Sequence, residues 1–146
     1  MKNPPPKKEY NTSVIFEKSM IAPCGMNCGT CIAYMRPKNN CPGCRHDDKF
    51  KSKACVHCII KNCSILGETN SDYCFDCPKY PCLRLKQLDK RYSTKYRTSF
   101  LENLIMIKHN GIESFLAFET ERRKCNTCKS TVSVHKNYCL ACSATL

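Results

Sequence analysis

Apolar residues recur with helical spacing in one part of this chain, the stretch from 81 to 122. There Leu83, Leu85, Leu88 and Tyr92 fall on one face, while Arg84, Lys86, Lys90 and Arg91 occupy the other positions. Pro81 is placed to be the first residue of that helix, where its missing N–H costs nothing. Ser99 followed by Glu102 has the form of a capping box, so a second helix is predicted to start at Phe100 and carry Leu101, Leu104, Ile105 and Ile107. Asn110-Gly111 predicts a left-handed cap at its end. Ile112, Phe115, Leu116 and Phe118 mark a third helix from 112 to about 122. These helices hold the only conventional core that the pattern provides, and it is small.

Outside this stretch the pattern is irregular. Residues 1–19, with Pro4-Pro5-Pro6 and Lys7-Lys8, are expected to be a mobile tail, with Val14-Ile15-Phe16 adding a short strand. Ile32, Ala33, Tyr34 and Met35 predict a short helix starting near Cys28. From 36 to 69 no periodicity runs long enough to build a core; only Ile59-Ile60 and Ile65-Leu66 stand out. Near the end, 129–135 alternates in the manner of one arm of a β-hairpin.

The chemistry that fills the gap is sulfur. Fifteen of 146 residues are cysteine, a level at which a metal or disulfide framework replaces an ordinary core. Eleven of them lie between Cys24 and Cys82: Cys24, Cys28, Cys31, Cys41, Cys44, Cys55, Cys58, Cys63, Cys74, Cys77 and Cys82. Two thiols separated by two residues can face one ion across a tight turn, and such pairs recur here. Cys125, Cys128, Cys139 and Cys142 form two further pairs, the two-knuckle pattern of a zinc ribbon. The 1–9 stretch lacks an apolar signal core, and no apolar run approaches the roughly 18 residues of a membrane span. A reducing, cytoplasmic location is therefore expected, where close cysteines favour metal over disulfides.

Zinc is the expected metal, roughly two to four ions. An iron–sulfur cluster on Cys24, Cys28 and Cys31, with a fourth ligand from Cys82 or Cys63, is the alternative, and Cys41-Pro42 and Cys77-Pro78 agree with it. The same Cys24/Cys28/Cys31 spacing occurs in radical S-adenosylmethionine enzymes, but their βα barrel has no counterpart in so short a chain. Cys24, Cys28 and Cys31 need a fourth ligand, as do Cys74, Cys77 and Cys82; the pairs Cys41/Cys44 and Cys58/Cys63 could complete either set or bind a metal together. Cys55 and His57 are either a third site or spare residues, and His135 could replace one tail cysteine.

The formal charge of +12 points toward nucleic acid. Each tetrathiolate zinc is a net −2 unit, so three such sites would bring the total to roughly +6. The remaining cations cluster at Arg84, Arg91, Lys95 and Arg97, interleaved with Tyr92 and Tyr96, and at Arg122, Arg123 and Lys124. Contact with RNA or a protein partner is expected through them, against the alternative of a solvated helix face with the aromatics packed beneath.

The motif series Ala22-Pro23-Cys24-Gly25, Cys28, Cys31, then Cys41 and Gly43-Cys44, then Cys58-Ile59 and Cys63, then Cys74, Cys77-Pro78, Tyr80-Pro81-Cys82 resembles the cysteine-rich domain of unknown function numbered 3795. Glu102-Asn103-Leu104, Ile107-Lys108, Gly111-Ile112-Glu113 and the terminal four cysteines extend the resemblance over roughly 20–142. It implies metal binding, with zinc expected, and no defined reaction. Cys55 and His57 lie outside that pattern.

The expected protein is a small, metal-stabilised, irregular α-rich (α+β) fold. A flexible tail (1–19) leads to a cysteine-knuckle module (20–82), a helical segment (83–123) and a zinc ribbon (124–146). The expected role is that of a non-enzymatic adaptor contacting a macromolecule, RNA or a ribonucleoprotein. The rival is an iron–sulfur electron carrier.

Overall fold

A computed structural model describes residues 9–146; the expected tail over 1–8 lies outside the described residues. Two single-turn helices, α1 (Ile32–Met35) and α2 (Lys53–Val56), sit within the cysteine-rich part. Three longer ones follow: α3 (Leu83–Tyr96), α4 (Phe100–Asn110) and α5 (Ile112–Arg122). None is long and apolar enough to cross a membrane.

The long helices start and stop for local reasons. Cys82 is the extended N-cap of α3, so Pro81 lies just outside the helix it was predicted to begin. Arg97, in a left-handed conformation, ends α3. At the start of α4 the Ser99 hydroxyl accepts from the Glu102 N–H at 3.2 Å, as a capping residue should. Asp89 of α3 reinforces that end, accepting from the Ser99 hydroxyl at 2.9 Å and from the Leu101 N–H at 3.0 Å. Gly111 joins α4 to α5 with φ 86° and ψ 162°. The expected cap is thus glycine-dependent, but extended rather than left-handed helical.

Leu85, Phe100, Leu104, Ile107, Phe115 and Leu116 from the helices form one core with Phe16, Ile21, Ala22, Met26, Ile60, Tyr73 and Val134. The cysteine-rich part and the helices therefore bury their apolar residues against each other. Leu83, Ile105 and Phe118, placed on the apolar faces by spacing, are 68%, 53% and 42% exposed. The buried faces are narrower than the spacing implied; α4 packs against α3, α5 and the 3₁₀ turn Cys74–Asp76.

Strands are where expectation and structure part. The described residues contain three isolated bridges, Ile21 with Asn27, Lys124 with Thr131 and Tyr138 with Thr145, and no named strand. Residues 14–16 are not a strand, although Phe16 is buried and Asn11 N–H donates to Met35 O at 2.7 Å. The hairpin arm over 129–135 is also absent. Its N–H groups go to separate segments instead: Thr131 to Thr12 O, Val132 to Arg123 O and Val134 to Thr30 O. Alternation here reflects successive contacts with three neighbours, not a ladder with one. Among the described residues the fold is small and helix-rich, with isolated bridges where the expected α+β class would have strands.

Candidate metal centre

The tail brings its four cysteines together through two copies of one turn. Lys129 N–H donates to Cys125 O and Ser143 N–H to Cys139 O, each at 2.9 Å. Lys129 and Ser143 both take positive φ, 65° and 67°. The bridges Lys124–Thr131 and Tyr138–Thr145 close the two turns at matching positions. Across the turns, Cys125 Sγ lies 3.7 Å from Cys142 Sγ, and Cys128 Sγ lies 3.6 Å from Cys139 Sγ. All four sulfurs fall within 4.8 Å of one another. A tetrahedral ion with Zn–S near 2.3 Å requires sulfurs about 3.8 Å apart, so this donor set fits one such ion. Hydrogen bonds from the Ser130 side chain and backbone hold the Cys128 thiol down to about 6, which favours the thiolate a ligand must be.

His135 does not join them. The Ile32 N–H donates to its Nδ1 at 3.2 Å, and Nε2 lies 3.0 Å from the Tyr92 hydroxyl. With Nδ1 accepting, Nε2 carries the proton and donates to Tyr92. Tyr92 also packs on Phe100, with ring centroids 4.5 Å apart, and Tyr96 meets His135 edge-on at 4.9 Å. The aromatics interleaved with the basic run are thus packed beneath it.

Among the described residues, no other group of three or more ligands is drawn together as tightly as the tail quartet. The Cys24, Cys28 and Cys31 sulfurs are not gathered on one point. Cys28 instead pairs with Cys44, whose N–H donates to Cys28 Sγ at 3.4 Å. Hydrogen bonding to Cys28 holds the Cys44 thiol down to about 7, with Lys51, Lys61 and Arg45 adding positive charge nearby. Burial pushes Cys24 well up, and the thiols around it are Cys44, Cys74 and Cys58. Burial also raises Cys31, whose sulfur neighbours are Cys41 and Cys55. Cys63, Cys74, Cys77 and Cys82 line one cavity, and burial pushes Cys74 up to about 12. His57 is exposed at the end of α2. A metal ion reverses the effect of burial on such thiols by ionising them.

The backbone of the first knuckle is held from the helices. The Asn103 side chain donates to Gly25 O at 2.9 Å. Gly25 has φ 94°, and a Cβ there would stand 2.8 Å from Phe100 O. No spacing rule pointed to Asn103, because a polar residue within a helical sequence carries no signature of burial.

Residues 20–87 match the model of a family described as a protein of unknown function, DUF3795. The DUF3795 region takes in all eleven N-terminal cysteines and the start of α3, and ends before the tail quartet. The description assigns it no activity. No curated protein matches the chain. No solved structure matches it either.

The two basic clusters differ in their surroundings. Arg84, Arg91, Lys95 and Arg97 are exposed. Arg122 binds Glu119, with Nε 2.6 Å from Oε1, and donates to Asn103 Oδ1 at 3.0 Å. Arg123 lies 3.6 Å from Glu119 Oε2, and Lys124 lies 2.8 Å from Glu121 Oε1. Within the protein, Glu119 and Glu121 thus set two carboxylates against the three cations of the 122–124 run, +3 against −2.

Proposed function

We propose that this chain is a metalloprotein whose tail quartet holds one zinc ion as a structural centre. We further propose that it acts as a non-enzymatic adaptor, offering the basic face of α3 to RNA or a ribonucleoprotein. The sulfur spacing of the tail, 3.6 and 3.7 Å across the two turns, carries the metal reading. Four thiolates in a tetrahedron suit zinc, and a set closed by four protein ligands keeps no position for water or substrate. That chemistry supports a structural role over a catalytic one.

For the adaptor role, Arg84, Arg91 and Lys95 recur at seven and four residues, so they share one flank of α3. Among the described residues none of them is in an ion pair. With Tyr92 and Tyr96 packed inward, such a face would contact phosphates without stacking on bases.

Metal analysis of the full chain and cobalt substitution test the first part. A tetrathiolate cobalt spectrum that Cys128→Ser abolishes is expected; metal-free protein that stays folded overturns it. For the second part, RNA affinity is titrated against salt. Replacing Arg84, Arg91 and Lys95 with Gln should weaken binding and lower the salt slope by roughly one per cation removed. Binding that ignores both salt and these substitutions would remove RNA from consideration.

A further inference from the structure

We propose that Cys63, Cys74, Cys77 and Cys82 form a second metal centre, separate from the tail quartet, with Cys63 as the ligand that completes the Cys74/Cys77/Cys82 set. This rests on the reading of the chain as a metalloprotein, but concerns different residues. The four thiols reach one cavity of about 100 Å³ from three separate segments. Cys63 closes a turn by donating its N–H to Ile60 O at 3.2 Å. Cys74 and Cys77 flank a 3₁₀ turn, in which Cys77 N–H donates to Cys74 O at 3.1 Å. Cys82 is the extended N-cap of α3.

The rest of the wall is mainly hydrocarbon, from Ile59, Ile60, Leu66 and Leu85. The cavity opens to solvent beside Ile59 and Arg84, and its hydrocarbon wall offers water few polar partners. A thiophilic metal centre would fill it and engage all four sulfurs. Arg84 also lines the cavity, placing a cation beside what becomes a net anionic unit once thiolates bind a metal. The sulfurs are not drawn in as tightly as those of the tail. Tetrathiolate chemistry serves both a single zinc-type ion, which would pull them together, and an iron–sulfur cluster, which spans a wider set.

The test uses the full chain, purified without oxygen, with zinc, iron and acid-labile sulfide quantified. Iodoacetamide labelling mapped by mass spectrometry then reports each thiol before and after chelation. The expected result is that Cys63, Cys74, Cys77 and Cys82 are protected together and become reactive together when metal is stripped. Cys63→Ser and Cys77→Ser should each remove the same metal equivalent, and the double variant no more than either. Labelling of Cys63 while Cys74, Cys77 and Cys82 stay protected overturns the proposal, as do additive losses in the double variant. Because labelling is read on the unmodified chain, a variant that fails to fold does not blur the outcome. Labelling of Cys128 in the loaded protein would instead count against the tail centre. A colourless, zinc-loaded site identifies a single ion, and iron with sulfide identifies a cluster; either supports the grouping.

Discussion

The Asn27 side-chain amide donates to Glu119 Oε2 at 3.0 Å, joining the first cysteine loop to α5 across 92 positions of sequence. The other end of the same Asn27 side chain accepts from Gly29 N–H at 3.0 Å and caps the 3₁₀ turn Cys28–Thr30. Glu119 is fully buried and also holds Arg122 and Arg123. One carboxylate thus shapes a cysteine-bearing turn and is the shared counter-charge of two guanidinium groups. Glu119→Gln leaves those charges uncompensated, and a loss of about 3 kcal/mol is expected in denaturant unfolding of the metal-loaded protein. An unchanged midpoint would mean the network contributes nothing.

Gly25 lies against the α4 backbone with positive φ. Gly25→Ala adds both backbone strain and a contact 2.8 Å from Phe100 O, which cannot yield as a flexible side chain could. Destabilisation of roughly 2 kcal/mol or more follows. Thermal melts of the two proteins side by side provide the check, and Gly67→Ala, which meets nothing within 4 Å, is the matched control.

His135 is held below its ordinary pKa by burial first, and by the nearby charges of Lys136 and Lys95. In the unfolded chain it takes up a proton near pH 6.5, while in the fold it resists doing so. Below about pH 6.5 the unfolded state therefore binds more protons, and stability falls with pH until the folded pKa is reached. Acid also displaces thiolate-bound metal, so the comparison is made against His135→Gln. The wild type should lose more stability than the variant between about pH 7 and 5.5. Parallel losses would assign the whole acid effect to the thiols.

The tail core consists of little beyond Cys125, Val132 and Cys139. Stripping its metal is expected to release amide protection at Cys125, Lys129, Cys139 and Ser143 in hydrogen exchange, since their bonds close the two turns. The helical signal of α3, α4 and α5 should persist, because their core does not include the quartet. Loss of helix in step with the tail would show that the two parts fold as one unit.

Several features could be recognised from the sequence because they depend on residues a few positions apart. Apolar spacing located α3, α4 and α5, Ser99 marked the start of α4, and the paired cysteines of the tail marked the quartet that the fold draws together. The strand over 129–135 could not be judged that way, since its alternating side chains follow three different neighbours. The exposure of Leu83, Ile105 and Phe118 depended likewise on which helix faces acquire a neighbour.

Local spacing determined that this chain has three amphipathic helices and a sulfur-rich remainder, because helix periodicity and knuckle turns are set within one or two turns of backbone. Tertiary structure alone decided that Cys28 meets Cys44, that Cys63 shares a cavity with Cys82, that His135 serves Ile32 and Tyr92, and that Glu119 holds Asn27. Each of those pairs joins separate segments. What brings them together is the shared burial of apolar residues and the need to satisfy buried polar groups, which no single stretch of sequence expresses.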